Sequence, residues 1–144
     1  MSNQDVTTYK FAAVLNKKVD IGKLMNVLGH ISICLVTKST PEQIQAMGII
    51  NYKDKDDNAH EASRNSFIIL KADNGNQIRS VRNAAIERGI LFVDFTHTMQ
   101  EGTYKDQLEK TKETSEKDLE YYGIVLFGEI TEVTELTRKF QLWK

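Results

Sequence analysis

Three residues stand out as a set that could do chemistry together: Lys23, Asp94 and Thr98. Lys23 lies near the start of an amphipathic stretch for which Asp20 is a plausible cap, where free backbone N–H groups and the helix dipole favour an anion. Gly22 beside it lets a ligand approach the backbone closely. A lysine there can hold a phosphate or stabilise an oxyanion. Asp94 closes the apolar run that begins at Ile90, and ligands bind at the carboxyl ends of parallel strands in open α/β sheets. If the two charged groups face each other, the carboxylate activates a water and the ammonium offsets charge on an attacked carbonyl. Thr98, four residues on, would orient that water or the substrate. This is ester hydrolysis without a covalent intermediate. Binding of a small anionic or nucleotide-like ligand without turnover stays open, as does a purely structural Lys–Asp pair with Thr98 capping the next turn.

The remaining reactive side chains add little. His97 is placed to touch a ligand held by Asp94, and His30 flanks the first helix; His60 falls in a polar stretch. Cys34, one helical turn after His30 and beside Ile31 and Leu35, reads as a buried, inert thiol rather than a nucleophile. Three scattered histidines and one cysteine at no ligand spacing predict neither a metal site nor a disulfide, and no cofactor is implied.

These residues need elements to hold them. Tyr9 to Leu15 is short and apolar, a buried strand. Leu24, Val27, Leu28, Ile31 and Leu35 recur at helical spacing and predict a helix over 21–36. Gly22 and Gly29 on it suggest close packing against the sheet or a second copy. Pro41 starts a short helical turn, Met47 to Tyr52 is a strand, and Lys53 to Ser66 is a long exposed loop. Ser66 to Lys71 is the next strand, pairing with the previous one as a wide hairpin. A helix with Ile78, Val81, Ala84 and Ala85 on one face, closed by Gly89, leads to the strand Ile90–Asp94. That strand–helix–strand unit implies parallel strands. Tyr104 and Leu108 mark a surface helix in a stretch, 101–120, that carries seven acids against four bases. Ile124 to Phe127, ended by Gly128, is the last strand, and Val133, Leu136, Thr137 and Phe140 outline a final helix.

At 144 residues, 40% hydrophobic and 27% charged, the chain is expected to be one folded domain over 1–144 with a flexible start at 1–7. A net charge of −1 leaves no overall basic excess, so any contact with nucleic acid would be local, through Lys71, Arg79, Arg82 and Arg88. The first residues lack a basic and apolar leader, and no apolar run is long enough for a bilayer. A cytoplasmic protein without membrane contact is therefore expected.

The strand 11–15 followed by Gly22-Lys23-Leu24, with His30 seven residues after the lysine, resembles the opening of type II peptidyl-tRNA hydrolases. Asp94 and Thr98 match the Asp and Thr of that family's Arg-Asp-Ala-Gly-Arg-Thr-Gln motif. Val93, Thr96, His97 and Met99 depart from it, and Val27 replaces a glutamine. The whole chain from Tyr9 to Trp143 is closer to a bacterial family, domain of unknown function 2000. Its phrases are Asn16-Lys17-Lys18-Val19-Asp20-Ile21-Gly22-Lys23 and the run from Asn83 to Asp94. The resemblance implies an α/β three-layer sandwich, with a mixed, mostly parallel sheet and helices on both faces. It also implies a homodimer, Lys23, Asp94 and Thr98 as catalytic residues, and Gly22, His30 and His97 as ligand contacts. Peptidyl-tRNA, an acyl ester, is the hydrolase substrate it brings with it. A dimeric interaction module without catalysis is the remaining alternative.

Overall fold

Alternation of side chains along the first strand sets the architecture. In a computed structural model that describes residues 7–144, β1 (Tyr9–Asn16) lies at the centre of a five-stranded sheet ordered β5-β6-β1-β4-β7. The other strands are β4 (Phe67–Ala72), β5 (Leu91–Thr96), β6 (Tyr121–Glu129) and β7 (Gln141–Leu142). Phe11, Ala13 and Leu15 point to one face, where Leu24, Val27, Ile31 and Leu35 of α1 (Ile21–Lys38) cover them. Ala12 and Val14 point to the other, under Ile78, Val81 and Ala85 of α3 (Gly75–Arg88) and Val133 of α5 (Ile130–Thr137). Helices thus cover both faces of a mixed sheet.

The sheet is not mostly parallel. Only β1 and β4 pair in parallel; β1–β6, β5–β6 and β4–β7 are antiparallel. In the β4–α3–β5 unit the two strands do run parallel, as its sequence implies, but β1 and β6 lie between them. An apolar run shows that a strand is buried and leaves its neighbour unspecified.

The wide hairpin is also corrected. β2 (Ile49–Lys53) pairs with β3 (Ala59–Ser63), which lies inside the stretch read as a loop, and not with β4. Neither strand of this arm has a buried residue. Polar side chains gave the second strand no alternating pattern. The turn is tied by Asp54, whose Oδ1 accepts from the backbone N–H of Asp56 and of Asn58.

Local signals fixed several boundaries. Asn74 accepts from Gln77 N–H at the start of α3, and Gly89 closes it at φ 66°. Pro41 opens α2 (Pro41–Ala46) behind the capping residue Thr40. Thr103 and Asp106 form a capping box on α4 (Tyr104–Lys112), which has no buried residue. Asp20 does occupy the cap position of α1, yet its side chain makes no capping hydrogen bond. Gly128 lies inside β6 rather than ending it.

The close helix–sheet contact is made by a different glycine from those expected. A Cβ on Gly22 or Gly29 would meet nothing within 4 Å, whereas one on Gly123 of β6 would stand 2.8 Å from Leu15 Cδ2 and 2.9 Å from Val27 Cγ1. The missing side chain at Gly123 is what lets α1 settle on the strands. Of the flexible start expected at 1–7, residues 1–6 lie outside the described residues.

Candidate functional site

β5 decides which predicted residues can meet. Leu91, Val93 and Phe95 pack on the α1 face, so Phe92 and Asp94 turn to the α3 face. Asp94 Oδ2 accepts from Arg82 Nε at 2.9 Å, and both side chains are about three-quarters buried. The Arg82 guanidinium also lies 5.9 Å from the ring centroids of Phe92 and Tyr121. Lys23 is on the opposite side of the sheet, 3.8 Å from Glu101 Oε1 and half-exposed. Among the described residues no ion pair joins Lys23 to Asp94, so the facing carboxylate and ammonium that single-carbonyl chemistry requires are not assembled.

Thr98 is buried in the 3-10 turn His97–Met99 that follows β5. Its hydroxyl sits in a chain with those of Thr96 at 2.7 Å and Thr111 at 2.8 Å. All of its near polar partners are thus threonines. His97 is stitched to the start of β6: its N–H donates to Glu120 O, and its Nδ1 accepts from Glu120 N–H, each at 2.9 Å. Gly22 is open to solvent with no contact that would need a glycine. Cys34, expected inside, is exposed, because the buried stripe of α1 runs through Leu24, Val27, Ile31 and Leu35 and leaves position 34 beside it.

His30 is where the structure opens. Together with Phe95, Met99, Tyr104, Leu108 and Thr111 it lines a cleft of about 320 Å³ between α1, the end of β5 and α4. The His30 ring is 5.8 Å from that of Phe95. Tyr104 and Leu108 are 69% and 66% exposed and form the outer wall, so the thin apolar stripe of α4 faces a space instead of a core. The size falls at the lower end of small-molecule sites, and the chemistry is theirs too: apolar walls with a few polar groups. Lys23 precedes His30 by two helical turns, about 10 Å along α1. Its partner Glu101 also reaches Tyr122, whose phenol is pushed up by burial, then by Glu120 and Glu101. Next to Met99, Gln100 Oε1 is buried without a hydrogen-bond partner. The sequence offered His30 and Thr98 but missed the cleft itself, since its walls come from segments more than 60 residues apart.

The arginines expected to meet nucleic acid are spoken for. Arg79 donates to Glu116 and to the Leu119 carbonyl, Arg82 to Asp94 and Arg88 to Glu135. Among the described residues no helix is long and apolar enough to cross a membrane, and no group of three or more His, Cys, Asp or Glu is placed to hold a metal.

Residues 9–144 match the model of a family described as a protein of unknown function, DUF2000. No curated protein matches the chain. Among solved structures, a protein of unknown function from Agrobacterium tumefaciens is similar at a TM-score of 0.78 and 17% identity, over 96% of this chain and 100% of that one. At that identity the likeness is one of fold.

Proposed function

Since the chain belongs to the DUF2000 family of proteins of unknown function, we propose from its geometry alone that it binds a small organic anion in the cleft between α1 and α4. One observation carries this reading: an apolar cleft of about 320 Å³ with His30 in its wall and Lys23 further along the same helix. An aryl or alkyl body fits between Phe95, Met99, Tyr104 and Leu108, where burial of apolar surface drives association. A carboxylate or phosphate at its end reaches toward Lys23, whose pairing with Glu101 is loose and solvated and so is readily exchanged. His30 offers a ring nitrogen along the way.

Ester hydrolysis by Lys23 and Asp94 would require one carbonyl to meet both, and the sheet between them weighs against it. The paired arginines likewise weigh against tRNA on the α3 face. Binding without turnover is the reading preferred here.

The test is calorimetric titration with a naphthalene carboxylate and its uncharged amide. The acid should bind more tightly than the amide, Lys23→Ala should remove that preference, and Leu108→Arg should abolish binding of both. At a hundredfold excess over Kd the ligand should stabilise the fold by about 2.7 kcal/mol. Unchanged binding by the Leu108→Arg variant would refute the site.

A further inference from the structure

A second cleft, of about 300 Å³, opens at the carboxyl ends of β1 and β4 and is lined by Lys17, Lys71, Asp73, Gln77, Lys139 and Phe140. We infer that it binds the phosphate group of a small organic phosphate, through residues unconnected with the α1–α4 cleft.

The topology supplies the first argument. β1 and β4 are the one parallel pair in the sheet, and they lead into helices on opposite faces, α1 and α3. The two chains therefore diverge just beyond the strand ends, and this divergence is the crevice in which α/β sheets bind ligands. Lys17 directly follows β1, and Asp73 directly follows β4; a hydrogen bond from Lys17 N–H to Ala72 O at 3.0 Å ties the two exits together.

Charge supplies the second. Lys17 comes from the β1 exit, Lys71 from the end of β4 and Lys139 from beyond α5, so distant parts of the chain bring lysines to one place. The Lys17 ammonium meets Asp73 Oδ1 at 2.8 Å, and Lys18 also acts on that carboxylate, holding it below the usual carboxylate range behind the larger effect of Lys17. Among the described residues neither Lys71 nor Lys139 has a carboxylate within ion-pair distance. The three lining ammonium groups against one carboxylate leave an excess of two positive charges, in a chain whose net charge is −1. Like charges gathered in a crevice repel one another and focus potential on an incoming anion. A phosphate dianion answers that excess better than a single carboxylate does, and lysines suit it as point charges.

The cleft also offers contacts for the rest of the ligand. The cleft is larger than a phosphate ion. The Phe140 ring supplies an apolar wall, and the amide of Gln141 can hydrogen-bond the esterified group, while that of Gln77 is held by Asp73. Asp73 acts as the resident counter-ion that an arriving phosphate displaces from Lys17.

Amide NMR of the full chain tests this, with inorganic phosphate, adenosine monophosphate and adenosine as probes. Phosphate and the monophosphate should shift the amides of Lys17, Asp73, Gln77 and Gln141, and adenosine should not. Lys139→Ala, which removes no ion pair, should weaken the monophosphate about tenfold, the loss of one charge-assisted hydrogen bond. Asp73→Asn should tighten it severalfold by freeing Lys17, and added salt should weaken it. Equal affinity in the Lys139→Ala variant, equal binding of adenosine, or shifts confined to the α1–α4 cleft would each overturn the inference. Leu108→Arg, which blocks the other cleft, should leave phosphate binding intact, so the two sites fail separately.

Discussion

Gly123→Ala tests how α1, and with it both His30 and Lys23, is seated. The new Cβ would stand 2.8 Å from Leu15 Cδ2 and 2.9 Å from Val27 Cγ1. Carbon atoms in contact prefer about 3.5–4.0 Å, and neither methyl has free space, because Leu15 and Val27 are both buried. Either the helix lifts or two side chains leave their rotamers, and overfilling of this kind costs about 1–3 kcal/mol. Replacing glycine recovers only about 0.4–1 kcal/mol of unfolded-state entropy. The net loss should be about 1–2 kcal/mol, read as a shift in the urea midpoint at unchanged slope. Val27→Ala alone should also destabilise the fold, by leaving a hole. In the double variant the added methyl enters that hole, and the two losses should fall short of additive by about 1 kcal/mol. Gly29→Ala is the contrast: on an exposed helix position with nothing within 4 Å, it should stabilise by about 0.5–1 kcal/mol. A neutral Gly123→Ala, strict additivity in the pair, or a destabilising Gly29→Ala would refute the assignment of the close contact.

Other expectations follow from the paired charges and the open helix face. Asp94→Asn should lower stability by about 1–2 kcal/mol, less than for a fully buried pair because Arg82 and Asp94 keep some solvent, and thermal unfolding will show it. Glu116 is held low by Arg79 first and then Tyr121, so its contribution is present above its unfolded pKa, about 4.3, and is lost as pH falls through its lower folded value. Glu116→Gln should flatten that acid limb of the stability curve. The Tyr121 hydroxyl, pushed up to about 12 mainly by burial, contributes stability that is complete below about pH 10 and is lost as pH rises toward about 12. Tyr121→Phe should remove that alkaline limb. A homodimer, as the resemblance implies, would draw on Met25 and Ile33, which are 64% and 68% exposed on the outer face of α1. Ile33→Arg should then convert dimer to monomer in sedimentation, and a wild-type monomer at every concentration would sink the expectation.

Elements were legible where one pattern dominated. The helical stripe from Leu24 to Leu35, the closing of α3 by Gly89, and the apolar core of β6 all follow from local rules. β3 was not legible, because the exposed run from Ala59 to Ser63 buries nothing and is held by pairing with β2 alone. Strand order was not legible either: β6 arrives late in the chain and inserts between β5 and β1, a choice made by long-range packing. The lysine cleft was invisible for the same reason, since Lys17, Lys71 and Lys139 share no local pattern.

The separation of Lys23 from Asp94 is a different case, because its cause lies in the sequence. Ending the strand at Asp94 left that side chain free to turn either way; the strand in fact runs to Thr96. Once Phe95 belongs to it, alternation settles the matter. Phe95 and Val93 are apolar and seek the α1 core, which sends Asp94 to α3 and its arginine. A shift of one residue in that strand would put Asp94 on the Lys23 side and bury Arg82 without its partner. The apolar residues on both sides of Asp94 therefore hold the acid away from the lysine. What remains on the α1 side is an apolar cleft with His30 in its wall and a loosely held Lys23 two turns earlier on the same helix, the arrangement on which the proposed binding of an organic anion rests.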